Sequence, residues 1–538
     1  MRAASARIFF GVLARREQAA YDSPIPPMIP SPFSRPLFLA SLALSAALAL
    51  PAYAEPKSPP LDLTLQSAIR RALEKNFQIR SEKFTPEIAR AKQLSASGKF
   101  DPTLEVSVTQ DQNIQEIRTL NNELLTPTAE EGGADPDLFA ATSGLVVDSS
   151  ISGLTPWGLT YDIGASITRN TDDRISNEKY DSFAGVNVTQ PLLKNFGTAA
   201  NLAALRIARA DRSISEWTLR DRVIQVVTDT VNTYCELFFA KENLAVEERS
   251  RALAEQLLSD NLKRAEIGVM APLDVLQARS DLAAREEKVI AARQAVLENE
   301  NFLKQLVTDE VFQVLDTRIT IAALPDAPGA KANRERDFPM AFRLRPDYRQ
   351  ALLELQKRQI NIVYARNQSL PRLDLVASFG VNGIDTNFSG SLQRVTGQGT
   401  NNIAWSAGIV GSLPIPNREA RGTLEAGKLE AARALVELKR LEQSILVEAD
   451  NAAGQIETTR KRIDASRAAR DYAAKTLEAG QARLASGTST TFEVLQFQRD
   501  LATSEINVLR ARADHIRAIA AYARATGLTL VRNRVAVE

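Results

Sequence analysis

The sequence predicts a mixed α and β fold in which long coiled-coil helices alternate with short β-strand regions, the whole arranged as an internal two-fold repeat. Three observations predict it. Apolar residues recur every seven positions over two long segments, the stretches between certain prolines alternate apolar with polar residues, and the second half of the chain restates the first. The 538 residues carry only 6% aromatics, and Ala and Leu are abundant, which favours long helices over a bulky globular core. Length alone suggests roughly three or four domains. A balance of 66 Lys+Arg against 65 Asp+Glu leaves no electrostatic footprint for a nucleic acid. The single cysteine, Cys235, excludes an internal disulfide and a cysteine-cluster zinc site. The single histidine, His515, excludes a His-rich metal site and argues against Ser/His or Cys/His catalysis. No cofactor is expected.

The first 54 residues are expected to be a signal peptide. Arg35 precedes an apolar run from Leu37 to Leu50, and Ala52-Tyr53-Ala54 follows as a small-x-small cleavage site before Glu55. The alternative is a membrane anchor, but this run as a helix would reach only about 21 Å against the ~30 Å of a hydrocarbon core. Met28 would give a leader of ordinary length, so residues 1–27 need not be translated. No cysteine follows the cleavage site to carry a lipid. The mature chain is therefore expected outside the cytoplasm. No later stretch reads as a spanning helix, so entry into a membrane would require a closed β-barrel.

The repeat is clearest at residues 268–283, GVMAPLDVLQARSDLA, and 487–502, GTSTTFEVLQFQRDLA. Gly268 meets Gly487, Asp274 meets Glu493, Val275-Leu276-Gln277 meets Val494-Leu495-Gln496, and Asp281-Leu282-Ala283 meets Asp500-Leu501-Ala502. More weakly, Pro102 and Leu104 meet Pro371 and Leu373, and the segment ending Pro191-Leu192 resembles that ending Pro414-Ile415. Each half reads helix, Pro, strand region, Pro, long helix, Gly tip, long helix. The domains follow: residues 55–310 as the first repeat, with a long insertion at 112–182, then a linker at 311–340, a second repeat at 341–530 and a tail at 531–538.

Val275, Leu282, Val289, Val296 and Leu303 are seven apart, and so are Val494, Leu501, Val508, His515 and Tyr522. A sustained heptad means helices supercoiled on neighbours. Long helices are expected at 200–265, 272–308, 418–484 and 490–526. Gly268 and Gly487 stand where a helix C-terminal glycine would, and Pro272 suits a first helical turn. Each half thus carries an antiparallel helical hairpin. At a heptad position, His515 is expected to pack, and Cys235 to fill a helix interface. Carboxylates such as Glu247-Glu248 are expected on solvated faces.

The strand regions alternate. Leu104, Val106 and Val108 interleave with Thr103, Glu105, Ser107 and Thr109. Leu373 to Phe379, Ile403 to Gly411, and Val186 with Val188 do the same. This is the pattern of a lipid-facing, water-lined barrel strand, although a globular sheet shares it. Trp157, Tyr161, Tyr180, Phe183, Phe379 and Trp405 are candidates for an aromatic girdle, or simply pack. Pro102, Pro191, Pro371 and Pro414 mark all four helix–strand junctions, where proline can end a helix and cap a strand. Four strands cannot close a barrel, since small barrels need about eight, so the chain should oligomerise. Residues 112–143, with Glu130-Glu131-Gly132-Gly133, are expected to be a loop. Residues 144–151 and 159–168 are expected to form a further hairpin around Thr155-Pro156-Trp157-Gly158. It is expected outside the minimal barrel, with two added strands per protomer as the alternative.

Over about residues 61–530 the chain resembles the TolC family of outer-membrane efflux and secretion channels. Leu63-Thr64-Leu65-Gln66-Ser67-Ala68-Ile69 with Ala72-Leu73-Glu74-Lys75-Asn76 resembles that family's first helix, and Arg345-Pro346-Asp347-Tyr348-Arg349 its counterpart in the second half. Gln190-Pro191-Leu192-Leu193 resembles the end of its second strand, and Gly268 and Gly487 with their Val-Leu-Gln sequels resemble its two periplasmic tips. The resemblance implies a homotrimer, with a 12-stranded β-barrel in the lipid of the outer membrane and helices forming a periplasmic α-helical barrel. Residues 308–340 and the C-terminal tail would form an equatorial collar. The tips, by position Gly268, Val269, Gly487 and Thr488, would meet a periplasmic adaptor protein joined to an inner-membrane transporter of the RND, ABC or MFS class.

The family narrows its periplasmic mouth with acidic side chains on the second tip. Glu493 falls at the first such position, Gln496 departs from an acid at the second, and Asp274 is the equivalent of Glu493 in the first half. The arginine and tyrosine that tie the family's mouth shut are replaced by Ser489 and Leu484. A carboxylate ring would favour cations, and the alternative for Glu493 and Asp274 is a first-turn acid at a helix N-terminus. No residue cluster satisfies the requirements of an enzyme site, and Gly397-Gln398-Gly399 has no strand-to-helix context for a nucleotide. The expected function is a passive outer-membrane conduit of a tripartite efflux pump or type I secretion system. The alternatives are a soluble periplasmic coiled-coil scaffold and an envelope enzyme on a helical frame.

Overall fold

The computed structural model describes residues 61–116, 139–172, 177–268, 270–324, 332–397 and 402–535. The expected signal peptide, Val269, the Gln398-Gly399 pair and much of the expected loop at 112–143 lie outside these residues. The chain enters through β1 (Leu61–Leu63) and three helices, α1 (Leu65–Lys75), α2 (Phe77–Glu82) and α3 (Phe84–Ser97). Helix α1 starts at Thr64 because a capping box satisfies its free amides. The Thr64 hydroxyl accepts from the Ser67 amide at 3.2 Å, and Ser67 Oγ accepts from the Thr64 amide at 2.8 Å. Ala68, Ile69 and Ala72 then bury one face of it.

The first strand block comprises β2 (Thr103–Glu116), β3 (Phe139–Leu154), β4 (Thr160–Asp172) and β5 (Asn177–Pro191). A short α4 (Thr198–Asn201) leads into α5 (Ala203–Glu266) and α6 (Pro272–Val307). After α7 (Val311–Val314) and β6 (Ile319–Ile321), the chain runs through α8 (Arg334–Leu344) and α9 (Pro346–Gln368). It then forms β7 (Arg372–Asp385), α10 (Phe388–Val395) and β8 (Ile403–Ser412), and closes with α11 (Arg418–Ala485), α12 (Thr491–Ala525) and α13 (Thr529–Arg532). The 64 residues of α5 and 68 of α11 each reach roughly 100 Å at 1.5 Å per residue.

Helices α5 and α6 pair antiparallel, as do α11 and α12, and α12 packs along α5. The heptad positions turn inward. Val275, Val289 and Leu303 on α6 are buried, as are Val494, Val508, His515 and Tyr522 on α12. His515 packs as expected, its Nδ1 3.0 Å from Thr459 Oγ1. Glu247 departs from expectation. It is buried, because helical periodicity puts it on the same inward arc as Ser250 and Ala254, while its neighbour Glu248 pairs with Arg293 at the surface.

The main core lies where α5 crosses the N-terminal segment and the 311–340 linker. Val226, Val227, Tyr234, Cys235 and Leu237 of α5 pack with Leu63, Ile79, Leu303, Val307 and Ile319. Fully burying each aliphatic side chain contributes about 1.5–3 kcal/mol. Here β6 pairs parallel with β1, Ile319 opposite Leu61, so the linker has regular structure. The Tyr234 hydroxyl donates into this node, 2.9 Å from the Ala322 carbonyl and 3.1 Å from that of Leu63. Of the tail, Val535 packs against the same core, and its amide reaches the Leu530 carbonyl.

The strands form a six-stranded antiparallel sheet in the order β2-β3-β4-β5-β7-β8. This corrects the placement of the 144–168 hairpin outside the minimal barrel. It sits in the sheet, with β3 on β2 and β4 on β5 along their lengths. Of the expected loop at 112–143, residues 112–116 belong to β2 and 139–143 to β3. Among the described residues no helix is long and apolar enough to cross a membrane.

Candidate functional site

Register makes the two faces of the sheet chemically distinct. Directly opposed residues share a face, so the ladder Leu104↔Ile151, Ile151↔Ile163, Ile163↔Val186, Val186↔Phe379, Phe379↔Trp405 is one row across all six strands. Leu104 is 67% exposed, Ile151 47%, Ile163 50%, Phe379 57% and Trp405 74%. The neighbouring row on the other face is Glu105, Ser150, Gly164, Gly185 and Gly380, with Ser107, Asp148, Ser166, Asn187 and Ser378 near it. Apolar side chains this exposed along a row across the sheet need an apolar medium, and the opposite face suits water. Tyr161, Tyr180, Phe379 and Trp405 lie on the apolar face. Two girdle candidates do not: Trp157 sits in the β3–β4 turn, and Phe183 faces the polar side. Its ring covers Gly185 and Gly380, where any β-carbon would collide with it.

All four prolines lie at the same end of the sheet. Pro102 and Pro371 directly precede β2 and β7, Pro191 is the last paired residue of β5, and Pro414 follows β8. The ladder stops there, so a residue without an N–H sacrifices little. The exits are stitched together by side chains. Asn367 Oδ1 accepts from the Asn195 amide at 2.8 Å, Asn367 Nδ2 donates to the Leu193 carbonyl, and Asn417 Nδ2 donates to the Ser369 carbonyl.

At the other end of the helices, Gly268 and Gly487 have φ of +76° and +75°, left-handed values that glycine adopts without strain. The Gly487 amide bonds the Leu484 carbonyl and the Thr488 amide bonds that of Arg483, the paired pattern that ends a helix. The Gly268 amide likewise bonds the Ala265 carbonyl. Sheet at one end and glycine turns at the other bracket the long hairpins.

A family model described as Outer membrane efflux protein matches residues 155–308 and 339–528. The chain belongs to the outer membrane efflux protein family. It is 23% identical over 373 residues to the outer membrane efflux protein BepC of Brucella suis biovar 1 (strain 1330), covering 68% of this chain and 76% of that protein. Among solved structures it resembles the CmeC outer membrane channel of Campylobacter jejuni, with a TM-score of 0.62 at 16% identity over 86% of both chains. It also resembles the outer membrane protein VceC of Vibrio cholerae, with a TM-score of 0.61 at 15% identity over 86% of this chain and 96% of that one. These likenesses establish the channel fold. An outer membrane efflux protein is a channel of the Gram-negative outer membrane and not an enzyme. Among the described residues no group of three or more His, Cys, Asp or Glu could hold a metal.

In this efflux protein the acids named from the sequence stand in the first turns after the two glycines. Glu493 is exposed. Ser489 Oγ donates to its carboxylate at 2.5 Å, and its amide bonds Thr490 Oγ1 at 3.3 Å. The Ser489 hydroxyl first, and then the Thr490 backbone, hold its carboxyl below the usual carboxylate range. Gln496 is exposed and donates to Asp500. Asp274 is half-buried, its amide on the Ala271 carbonyl. Glu493 and Asp274 are first-turn acids in their geometry, and that position alone stabilises them.

A cluster near the tips was not legible as a site. Asp281 and Arg285 of α6 are each 4% exposed and pair at 2.6 Å. Arg285 also reaches Ser250 on α5 and Gln498 on α12, and Arg499 of α12 bonds Asp281 at 2.7 and 2.9 Å. The only signal was that Asp281 belongs to the repeated Asp-Leu-Ala. Cys235 is buried, and burial pushes its thiol up to about 12.

Proposed function

We propose that the protein is the passive outer-membrane conduit of a tripartite efflux pump. Three copies close one barrel, their helical hairpins line a duct through the periplasm, and a periplasmic adaptor engages the tips at Gly268, Val269, Gly487 and Thr488. An inner-membrane transporter of the RND, ABC or MFS class supplies the energy. The observation that carries this reading is the apolar row from Leu104 to Trp405, continuous over six strands and exposed on five of them, with a polar face behind it. A soluble scaffold would leave that face in water. Among the described residues both outer strands of the sheet, β2 and β8, have a free edge, and copies of the chain can satisfy it. The matched φ of Gly268 and Gly487 supports an internal duplication, with two tips per copy for the adaptor. Asp274 and Glu493 from three copies would place six carboxylates around the inner mouth and favour cations there. Type I secretion uses the same geometry with a polypeptide cargo.

Cross-linking of intact outer membranes, combined with drug susceptibility of a strain lacking the gene, tests this reading. A cross-linked trimer, and susceptibility that returns to normal only when the gene is restored, are expected. A monomer that resists carbonate extraction, or unchanged susceptibility to a broad panel of toxic compounds, would overturn it.

A further inference from the structure

We propose that the β3–β4 hairpin is a membrane-spanning part of the barrel wall and sets the width of the pore. Three six-stranded sheets then close three times six, or eighteen, strands where four strands per copy would give twelve. The proposal rests on the three-copy reading above.

Four features place the hairpin in the wall. First, it replaces a ladder instead of decorating one. β3 pairs with β2 from Thr103↔Ser152 to Glu116↔Phe139, and β4 with β5 from Thr160↔Thr189 to Asp172↔Asn177. β2 and β5 share no ladder of their own. Second, its alternation is in phase with the flanking strands. Ile151 and Ile163 lie on the face of Val106 and Val186, while Ser150 and Ser166 lie on the other. A hairpin outside the wall would have no reason to keep that phase. Third, its 16 and 13 residues exceed the roughly 9–11 that cross a bilayer at a tilt. Fourth, its turn is fixed at the level of the four prolines. The Gly197 amide donates to the Trp157 carbonyl at 3.0 Å, and a β-carbon at Gly158 would strike the Asn195 carbonyl. Topology permits the insertion as well. A pair of strands leaves β2 and β5 antiparallel to each other, so it is the smallest addition that keeps the rest of the wall in place.

The consequence is a wider duct. With strands ~4.8 Å apart and tilted by about 40°, the wall radius is roughly 12 Å for twelve strands and roughly 18 Å for eighteen. Allowing about 5 Å for one layer of side chains leaves a bore of roughly 14 Å against roughly 26 Å. The barrel therefore admits bulky cargo without sieving it, and selection by size falls to the narrower tips.

Single cysteines at Ser149, Ser150, Ala165 and Ser166, probed in outer membranes with a sulfonated maleimide, test the placement. The native thiol, Cys235, is buried and held protonated, and stays silent. Ser150→Cys and Ser166→Cys should react about tenfold faster than Ser149→Cys and Ala165→Cys, because lipid shields the latter from a charged reagent. The mass of the same purified material separates the two readings. Alternating labelling in a trimer supports the proposal. Equal labelling of both faces in a trimer overturns it and leaves the three-copy reading standing. A different oligomer overturns the strand number together with that reading. Width is tested independently by exclusion of neutral polyethylene glycols applied from the outer side in planar bilayers. Removing residues 139–172 should roughly halve the largest polymer diameter admitted, and an unchanged cut-off overturns the claim about width.

Discussion

Asp281→Ala should be among the most destabilising single substitutions in the helical part, and its magnitude can be worked from the geometry. Arg285 is 4% exposed and among the described residues pairs with Asp281 at 2.6 Å; its hydrogen bonds to Ser250 and Gln498 are to neutral groups. Removing the carboxylate leaves a buried guanidinium uncompensated, which costs about 3–5 kcal/mol. A Coulomb figure agrees, at about 4 kcal/mol for charges ~4 Å apart at an effective dielectric of ~20. Arg499 is 49% exposed, so Arg499→Ala should cost about 1 kcal/mol or less. Arg285→Met should fall between the two, because Asp281 then keeps Arg499 as partner. The double variant Asp281→Ala/Arg285→Met has no orphaned charge and should recover most of the loss. Denaturant titration of the detergent-solubilised protein, followed by helical circular dichroism, measures all four. A loss below about 1 kcal/mol for Asp281→Ala, or a double variant as unstable as the single, would refute the claim that an unpaired charge is responsible.

Other expectations follow from the sheet and the tips. Ala377 and Val376 are neighbours on opposite faces of β7. Ala377→Arg should lower folding stability in lipid vesicles by about 2–4 kcal/mol, while Val376→Arg should change it little; equal losses would contradict the assignment of faces. At Gly487 nothing lies within 4 Å of an added β-carbon, so Gly487→Ala meets only backbone strain of about 1–2 kcal/mol. Amide exchange around Arg483–Thr488 should quicken, and unchanged exchange would count against the strain. The hydrogen bonds on Glu493 hold its carboxyl below the ordinary 4.5. The stability it gives the first turn of α12 is therefore present above that value and lost as pH falls through the lowered one. Ser489→Ala should move its titration upward, as read by NMR of labelled glutamate, and an unmoved midpoint would exclude that hydroxyl as a cause.

The long helices were legible almost to the residue. Segments expected at 200–265, 272–308, 418–484 and 490–526 became 203–266, 272–307, 418–485 and 491–525. Heptads, a first-turn proline and C-terminal glycines are local signals, each within a few residues of the boundary it marks. The strand faces were legible for the same reason, since Leu104-Val106-Val108 alternates within itself. Strand neighbours were not. Alternation says which side a residue faces, but nothing in residues 144–168 says that β4 will pair with β5. That choice depends on ladders closed over long separations. The tip cluster was missed because a charged residue inside a helix ordinarily faces water. Asp281, Arg285 and Glu247 look like solvated positions until three helices converge on them. Phe183 shows the converse: an aromatic in a strand resembles a girdle residue until the glycines beneath it, Gly185 and Gly380, reveal which side it covers.

The two free edges of the sheet have a consequence for how the protein comes to exist. Among the described residues no strand pairs with the outward edges of β2 and β8, and hydrocarbon supplies no partner. A solitary copy can therefore neither dissolve its apolar face in water nor complete its hydrogen bonds in lipid. On the three-copy reading, meeting and insertion become one kinetic event, and a chain made without its fellows is left waiting at the surface instead of puncturing the membrane. The order of that reaction is measurable. Refolding into vesicles should accelerate more steeply than in proportion to protein concentration, and strictly first-order insertion would show that one copy satisfies its own edges.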